Sequence, residues 1–582
     1  MSEQMQSTRY QPSVAPGSKL CSQHRVIHLS GGRKRNRDTT TRRAKWAFWL
    51  VSMGFLLVAA RLVWFGSLDT TRSIDGRVLN STLASRPTIV DRNGVAMALD
   101  IRVPSLFAEP RNIVDVAEAA SAIHSVLPQL DLDRLHSRLS GNSGFAWIAR
   151  ELTPNIQSDI MRLGIPGIDF LSETKRFYPG FSQASHILGA VDIDNRGIAG
   201  IEHYLDKNGD LALLHQLGLA HDTALKPVRL SIDMRVQHVL HSELRDALTR
   251  YQAAAAAGSI IDVQTGELLA LASLPDFDPN DPTTMLKDGR FNRMTAAKFE
   301  PASIFKPITI AGALDAGAIR LTDKVDASTP VRFGRHTISD YYGKYRHLSI
   351  PEVFTYSSNI GTVRIAEKMG ADAFRQFLSR MGFDDMPRIE LPEVTASVVP
   401  KKLSSVAAAT VSFGHGLSVT PIQMLSATAA LVNGGHLLTP TLLRLAEDDG
   451  QQTVRRVISG TTSEQMRYLL RLNALEGSAR RADKLADGYR VGGKTGTAEK
   501  VVGGRYSNEK VTTFFSSAFP LDAPRYAMIV MVDEPRPERP GTGRTAAYNA
   551  GDMTGRIIAR IGPMLGIIPT KWENDPPSES VE

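Results

Sequence analysis

GSIIDVQTGELLALAS, residues 258–273, holds two apolar runs joined by a turn that contains Gly266, and it reads as a β-hairpin. Just before it, SIDMRVQHVLHSELRDALTRYQ, residues 231–252, spaces its apolar side chains by three and four. That spacing predicts an amphipathic helix, with Ser231 and Asp233 as candidate caps. Beyond the hairpin, helical patterns dominate residues 303–431, and strand patterns return at 494–502, 512–519 and 526–532. Strands at both ends of a helical middle imply an α+β domain whose sheet is closed by distant segments.

Toward the N-terminus, residues 67–230 mix short strand-like runs, helical runs such as 114–127 and turn clusters such as 91–94. Ahead of them stands WAFWLVSMGFLLVAARLVWF, residues 46–65, with Arg61 its single charge. About 20 such residues at roughly 1.5 Å each match a ~30 Å hydrocarbon core, so residues 46–66 are expected to form a single transmembrane helix. Trp46, Trp49 and Trp64 suit the two interfaces, and Arg61 can snorkel to the outer one. Arg33, Lys34, Arg35, Arg37, Arg42, Arg43 and Lys45 precede the run and predict a cytoplasmic N-terminus with the remainder exported. A cleaved leader ending near Val58-Ala59-Ala60 is the competing reading, and a 45-residue lead-in argues against it. The expected organisation is a basic tail at 1–45, the anchor at 46–66, one folded unit at 67–230, a second at 231–566 and a disordered polar tail at 567–582.

Composition narrows the function. The chain has 68 Lys and Arg against 60 Asp and Glu, but residues 1–45 alone hold ten of the basic and two of the acidic side chains, so the rest is electrically balanced. The basic character belongs to a tail, no zinc-finger spacing is present, and a nucleic-acid partner is not expected. Cys21 is the single cysteine and lies in that tail, so the exported part relies on its core without disulfides. None of the fourteen histidines falls in an H-E-x-x-H pattern, and no metal or other cofactor is expected.

S-x-x-K occurs at Ser172, Ser303 and Ser507. Context separates them. In FEPASIFKPITIAGAL, residues 299–314, Ser303 opens an apolar helical run with Lys306 three residues on, whereas Ser172 leads into a turn, RFYPG, and Ser507 lies in a polar loop. A serine hydroxyl needs a base to become a nucleophile, and a desolvated lysine can serve. A helix start also offers free N–H groups to a developing oxyanion. S-x-N occurs at Ser357-Ser358-Asn359 and again at Ser140-Gly141-Asn142. K-T-G occurs once, at Lys494-Thr495-Gly496, preceded by Gly492-Gly493 and followed by Thr497. A small-residue strand edge admits a peptide as an added strand, and Lys494 supplies a cation for its carboxylate.

In chain order, these three signatures match the set of the penicillin-binding proteins and class A β-lactamases. The chain resembles the class B penicillin-binding proteins, the peptidoglycan D,D-transpeptidases, over most of residues 46–560. RPTIVDRNG at 86–94 and RFYPGFSQASHILGAVDIDNRGIAGIE at 176–202 resemble that family's pedestal motifs, although Pro87 stands where glycine is usual. The hairpin and FGHGLSVTPIQM at 413–424 resemble segments of its transpeptidase domain, while GRTAAYNAG at 543–551 departs from its Gly-Gly-x-x-Ala-Ala-Pro pattern and leaves the docking of the last helix open.

The resemblance implies an elongated pedestal, expected here at 67–230, and a serine β-lactamase-like transpeptidase domain with a mostly antiparallel sheet flanked by helices. It implies that Ser303 attacks the penultimate D-Ala of a stem peptide, with Lys306 as base, Ser357 relaying a proton between Lys306 or Lys494 and the nitrogen, and Asn359 orienting Lys306 and the substrate amide. Thr495 and Thr497 would bind the carboxylate beside Gly496, with the N–H groups of Ser303 and Thr497 as oxyanion hole. β-Lactams would acylate the same serine, and carboxypeptidase turnover is a side activity. Ser357-Ser358-Asn359-Ile360-Gly361 and GHGLSVTP resemble the division-specific branch, which implies a place in the inner membrane at the septum and a SEDS-family glycan polymerase among other division proteins as partners. An elongation-specific enzyme of the same family is the alternative. A β-lactam hydrolase or sensor fits less well, because no E-x-x-L-N stands between Asn359 and Lys494. An idle scaffold fits least, because every catalytic position is filled.

Overall fold

The computed structural model describes residues 45–46, 48–59, 61, 86–208, 225–334, 336–445, 454–503 and 505–570. Two units separate within the chain, 1–79 and 80–582. In the first, the described residues between 45 and 61 are helical, with Trp46, Phe48, Trp49 and Leu56 all exposed. Among the described residues no helix is long and apolar enough to cross a membrane. The expected span runs on to residue 66, and with the basic tail and the last twelve residues it reaches outside the described part.

The second unit begins with a small mixed layer. Its strands are β1 (Ile89–Val90) and the long β2 (Ala96–Ala108), and three helices follow in order, α1 (Val116–Val126), α2 (Leu132–Leu139) and, after β3 (Ala146–Ala149), α3 (Pro154–Arg162). Asp115, Asp131 and Thr153 cap these helices by accepting from the N–H three residues on, which satisfies donors that would otherwise be orphaned. β4 (Ile168–Phe177) runs antiparallel to β2 over ten pairs, from Leu99↔Phe177 to Ala108↔Ile168. Leu106, Ala119, Ile123, Leu135, Leu139, Ile148 and Ile160 fill the space between helices and strands.

One buried ion network draws the two pedestal-like stretches together. Glu202, fully buried on α4 (Gly200–Lys207), accepts from Arg86 Nε at 2.8 Å and from Arg176 Nε at 2.6 Å. Arg176 also reaches Asp100 at 2.9 Å and donates to the Pro87 carbonyl at 2.9 Å, so the proline in place of glycine still supplies an acceptor. Removing one member would leave an uncompensated buried charge, which typically costs about 3–5 kcal/mol. β1 then pairs in parallel with β5 (Val228–Arg229), and Arg92 bridges to Glu267 at 3.2 Å, which ties this layer to the sheet that follows.

That sheet is the predicted hairpin completed by remote strands. α5 (Met234–Arg250) is capped by Asp233, which accepts from Arg235 N, whereas the hydroxyl of Ser231, the other candidate cap, donates to the Leu268 and Thr441 carbonyls. β6 (Ala255–Asp262) and β7 (Leu268–Leu274) form the hairpin. Across the helical middle come α6 (Lys306–Asp315), α7 (Ile350–Thr355), α8 (Asn359–Met369), α9 (Pro421–Val432) and α10 (Gly460–Leu475). β8 (Gly492–Val502), β9 (Arg505–Phe519) and β10 (Tyr526–Asp533) close an antiparallel sheet in the order β8-β9-β10-β6-β7. Almost every residue of α6 and α9 is buried, as expected of helices apolar on all sides.

The opposite face of the sheet is covered by α5 and the last helix, α11 (Ala550–Ile561), through Val236, Leu240, Leu244, Phe515, Val530, Ile557 and Ile558. The docking of α11 is well specified despite the divergent GRTAAYNAG. Asn549 accepts from Ala550 N and Thr513 Oγ1, Asp552 pairs with Arg481 at 2.6 Å, and Glu243 of α5 receives Arg556 and Arg560.

One expectation needs correction. Ser507 lies on β9 opposite Lys500 and not in a polar loop, because the strand pairing continues past 512 down to Arg505. Ser172 lies on β4 opposite Pro104, and that strand leads into the turn at Pro179 and Gly180. On β4 side chains alternate faces, so Ser172 and Lys175 point to opposite sides, and Ser507 Oγ accepts from Glu509 N and Lys510 N where the β8–β9 register breaks. The same spacing at Ser303 is read on a helical turn.

Candidate active site

Ser303 sits in a single 3-10 turn, Ala302–Phe305, and the N–H of Lys306 donates to its carbonyl as α6 begins. The turn is held in an uncommon shape, since Ala302 has φ 49°. Such residues cost of order 1–3 kcal/mol and persist only where the surroundings impose them. Here the backbone of Gly414 imposes it: Ala302 N donates to Gly414 O at 3.1 Å, and a Cβ at Gly414 would lie 2.1 Å from the Ala302 carbonyl oxygen. Glu300 fastens the same corner, accepting from His415 Nδ1, Gly416 N and Tyr506 OH. Burial would raise the Glu300 carboxyl, but these donors outweigh it and hold it below the usual carboxylate range.

Lys306 points into the interior and is 1% exposed. Its Nζ donates to the Ser357 carbonyl and lies 3.2 Å from Ser357 Oγ. Lys494, also 1% exposed, brings its Nζ within 2.9 Å of the same Oγ from β8. One serine hydroxyl is thus shared by two buried amines. Burial, then the neighbouring Lys494, pushes Lys306 well below the ordinary lysine value, with Asp340 opposing. Burial brings Lys494 down to about 7. Both shifts follow from the cost of placing a cation away from water, and together they favour a neutral amine at this site.

Ser357 adopts a left-handed backbone, φ 55°, at the turn that leads into α8. Ser358 caps that helix, accepting from Gly361 N at 2.9 Å, and donates to Asp340 Oδ2 at 2.7 Å. Asp340 Oδ1 accepts from Ile360 N at 2.9 Å. Asn359 donates to the Ser339 carbonyl at 3.0 Å, so its amide faces the 339–340 backbone and its observed partner is not Lys306. On β8, Thr495 Oγ1 donates to Ser478 Oγ at 2.7 Å, and Thr497 Oγ1 accepts from Ala546 N at 3.3 Å.

β8 is the outermost strand, so one edge of its backbone is unpaired by the sheet. Gly496 lets the Ser303 turn approach that strand, since a Cβ there would lie 2.9 Å from Pro301 O and 3.1 Å from Ile304 N. Gly496→Val is accordingly expected to displace the turn and slow acylation by a penicillin by about 10²-fold, the order of effect that a 1 Å misplacement produces. An acylation rate for the valine variant within twofold of the parent would show that this contact does not position the serine.

The structure therefore brings Ser303, Lys306, Ser357 and Lys494 to one corner, with Thr495, Gly496 and Thr497 on the adjoining edge strand. The decoy serines 172 and 507 and the second S-x-N at Ser140 lie elsewhere, on β4, β9 and at the end of α2. Asp340, Glu300, His415 and Ser478 are supporting residues that motif spacing does not reveal. The only signal was proximity: Glu300 and His415 lie inside the segments 299–314 and 413–424.

Known proteins resemble this chain along most of its length. Residues 256–557 match the penicillin binding protein transpeptidase domain, and residues 81–208 match the penicillin-binding protein dimerisation domain. The chain is 34% identical over 523 residues to the probable peptidoglycan D,D-transpeptidase FtsI of Caulobacter vibrioides, covering 88% of this chain and 87% of that one. It is 31% identical over 523 residues to the probable peptidoglycan D,D-transpeptidase PenA of Neisseria gonorrhoeae, covering 85% and 88%, and 29% identical over 537 residues to the peptidoglycan D,D-transpeptidase FtsI of Escherichia coli strain K12, covering 88% and 90%. Among solved structures, a peptidoglycan synthetase from Bifidobacterium adolescentis shares the fold with a TM-score of 0.63 at 22% identity, covering 85% of this chain and 98% of that one.

Proposed function

The chain belongs to the penicillin-binding proteins of FtsI type, with their dimerisation and transpeptidase domains, and on that premise we propose that it is a peptidoglycan D,D-transpeptidase acting through a Ser303 acyl-enzyme. The observation that carries this reading is the sharing of Ser357 Oγ by two buried lysines, both held below the ordinary lysine value by burial, beside the Ser303 turn. A neutral Lys306 takes the proton of Ser303 as its Oγ attacks the penultimate D-Ala carbonyl. The tetrahedral oxyanion is met by the N–H groups of Ser303 and Thr497. Collapse breaks the peptide bond, and the proton passes through Ser357 to the departing nitrogen of the terminal D-Ala. An amine from a neighbouring stem then attacks the ester, loses its proton by the reverse path, and returns Ser303 with its hydroxyl. Water in place of the amine gives the carboxypeptidase side reaction.

The donor stem lies along the free edge of β8 as an added strand, its carboxylate near Lys494, Thr495 and Thr497, and its amide meets Asn359. A penicillin presents a strained amide in the same place and stays on Ser303. The domain organisation read from the sequence supports an anchor at 46–66, a pedestal at 67–230 and a transpeptidase domain at 231–566. The seven cations before the anchor support an inner-membrane protein with its catalytic domain in the periplasm. The FtsI-named relatives and the S-S-N-I-G wording support service at the septum, alongside a SEDS-family glycan polymerase and other division proteins.

The decisive assay supplies the full chain with polymerised, pentapeptide-bearing glycan and follows D-Ala release together with cross-linked dimers. Both products are expected, and release of neither from active-site-titrated enzyme would sink the proposal. Depletion in the cell should give filaments lacking septa. Swollen cells that still complete their septa would move the enzyme to elongation.

A further inference from the structure

A rim of aromatic side chains borders the Ser357 turn and has no part in the acyl transfer just described. The loop at 339–346, SDYYGKYR, joins the short strands His336–Ile338 and His347–Ser349. It holds Tyr341 82% and Tyr342 80% exposed, while Tyr345 and Tyr356 are exposed as well. The rings of Tyr341 and Tyr342 meet edge to face at 4.7 Å, and Lys344 Nζ lies 4.9 Å from the centroid of Tyr356. Aromatic surface gathered in water marks an interaction site more often than a scattered apolar residue does. The loop is also joined to the catalytic turn, because Asp340 receives Ser358 and Ile360 and the Ser339 carbonyl receives Asn359.

We propose that Tyr341, Tyr342, Tyr345 and Tyr356, together with Lys344, form a subsite for the amino-sugar glycan that carries the reacting stem peptide. The inference rests on the transpeptidase reading. A pyranose ring has one face of C–H groups that stacks on an aromatic ring, while its hydroxyls and N-acetyl groups stay in water or meet a tyrosine O–H. Lys344 complements the carboxylates of a muramoyl peptide. Reach agrees: four residues between the sugar and the scissile carbonyl span at most about 14 Å. Tyr356 adjoins Ser357 in the chain, with consecutive Cα atoms about 3.8 Å apart, and Lys344 Nζ meets its ring, so this side of the rim borders the Ser357 turn. A protein partner fits less well. Such interfaces bury roughly 800 Å² and about 20–30 residues per side, whereas the exposed rings here belong to one eight-residue loop and the adjoining Tyr356.

The test uses the full chain in detergent, with peptide-free glycan strands as the probe, and compares it with Y341A/Y342A. Saturation-transfer NMR should show the sugar and N-acetyl protons of the glycan with the parent and at least a fivefold weaker signal with the double variant. Cross-linking of glycan-borne stems should fall tenfold or more through KM. Acylation by a penicillin, which carries no sugar, should stay within twofold. A parent that takes penicillin but gives no glycan signal overturns the subsite. So does a variant that loses penicillin acylation in step with cross-linking, because the loop then only supports the Ser357 turn. Unchanged glycan binding with altered sedimentation would assign the rings to a contact between copies and overturn it too. A parent that takes no penicillin at all fails the transpeptidase reading instead.

Discussion

Ser303→Ala is expected to abolish covalent labelling of this chain by a fluorescent penicillin, while Ser172→Ala and Ser507→Ala leave it intact. Deleting a nucleophile that acts as part of a unit commonly costs on the order of 10⁶ in rate, so no labelled band should survive. Ser303 is only half-buried in its turn, and the substitution removes one oxygen without opening a cavity, so the melting temperature should hold. The two control serines are on strands, Ser172 opposite Pro104 and Ser507 opposite Lys500, whose Nζ is held by Asp533 and Glu534. Residual labelling of the alanine variant, or loss of labelling in Ser172→Ala with the fold preserved, would assign the nucleophile elsewhere.

The reason Ser303 could be singled out is physical. An apolar helical run after the serine makes the third residue onward its neighbour on one face, and the same run guarantees burial of that lysine. The α+β arrangement was legible for a related reason, since runs of β-branched and small apolar residues at 258–273 and 526–532 have no helical period. Their pairing partners were not legible. β10 lies between β9 and β6, a contact that spans more than 260 residues, and no local pattern states it.

The same limit explains the supporting residues. Asp340 belongs to a polar loop that reads as solvent-exposed, yet its two oxygens fix the Ser358 hydroxyl and the Ile360 N–H. Glu300 and His415 are 115 positions apart and meet at 3.1 Å. Ser507 was misplaced because its polar neighbours hide a strand, and polar residues are tolerated where a hairpin extends into solvent. Asn359 was placed by resemblance, and its side chain is engaged with Ser339 in the structure. Residues that act through backbone or through one another have no signature of type and spacing, whereas a nucleophile and its base do.

Lys306→Arg should reduce acylation by on the order of 10³-fold, within the range that a lost general base produces. Arginine keeps the positive charge and cannot give up a proton at working pH, so it separates a base from a mere cation. The guanidinium is bulkier than an ammonium, so Lys306→Met serves as the companion variant. It should be equally inactive, and its melting temperature should rise, because a fully buried amine is replaced by an apolar chain of similar length. The pH dependence follows from the depressed values of the two amines. For Lys494, the fall from 10.5 to about 7 is worth on the order of 5 kcal/mol against the charged form. Between the folded value and 10.5 the unfolded chain binds more protons than the fold, so stability rises with pH across that window, and Lys306→Met, which removes the other depressed amine, should flatten part of the rise. Acylation should likewise decline toward acid as the shared site gains a proton, and reach its plateau well below pH 10.5. A rate that keeps climbing to pH 10.5 would mean that Lys306 titrates as an ordinary lysine, and near-normal acylation by the arginine variant would show that the residue supplies charge alone.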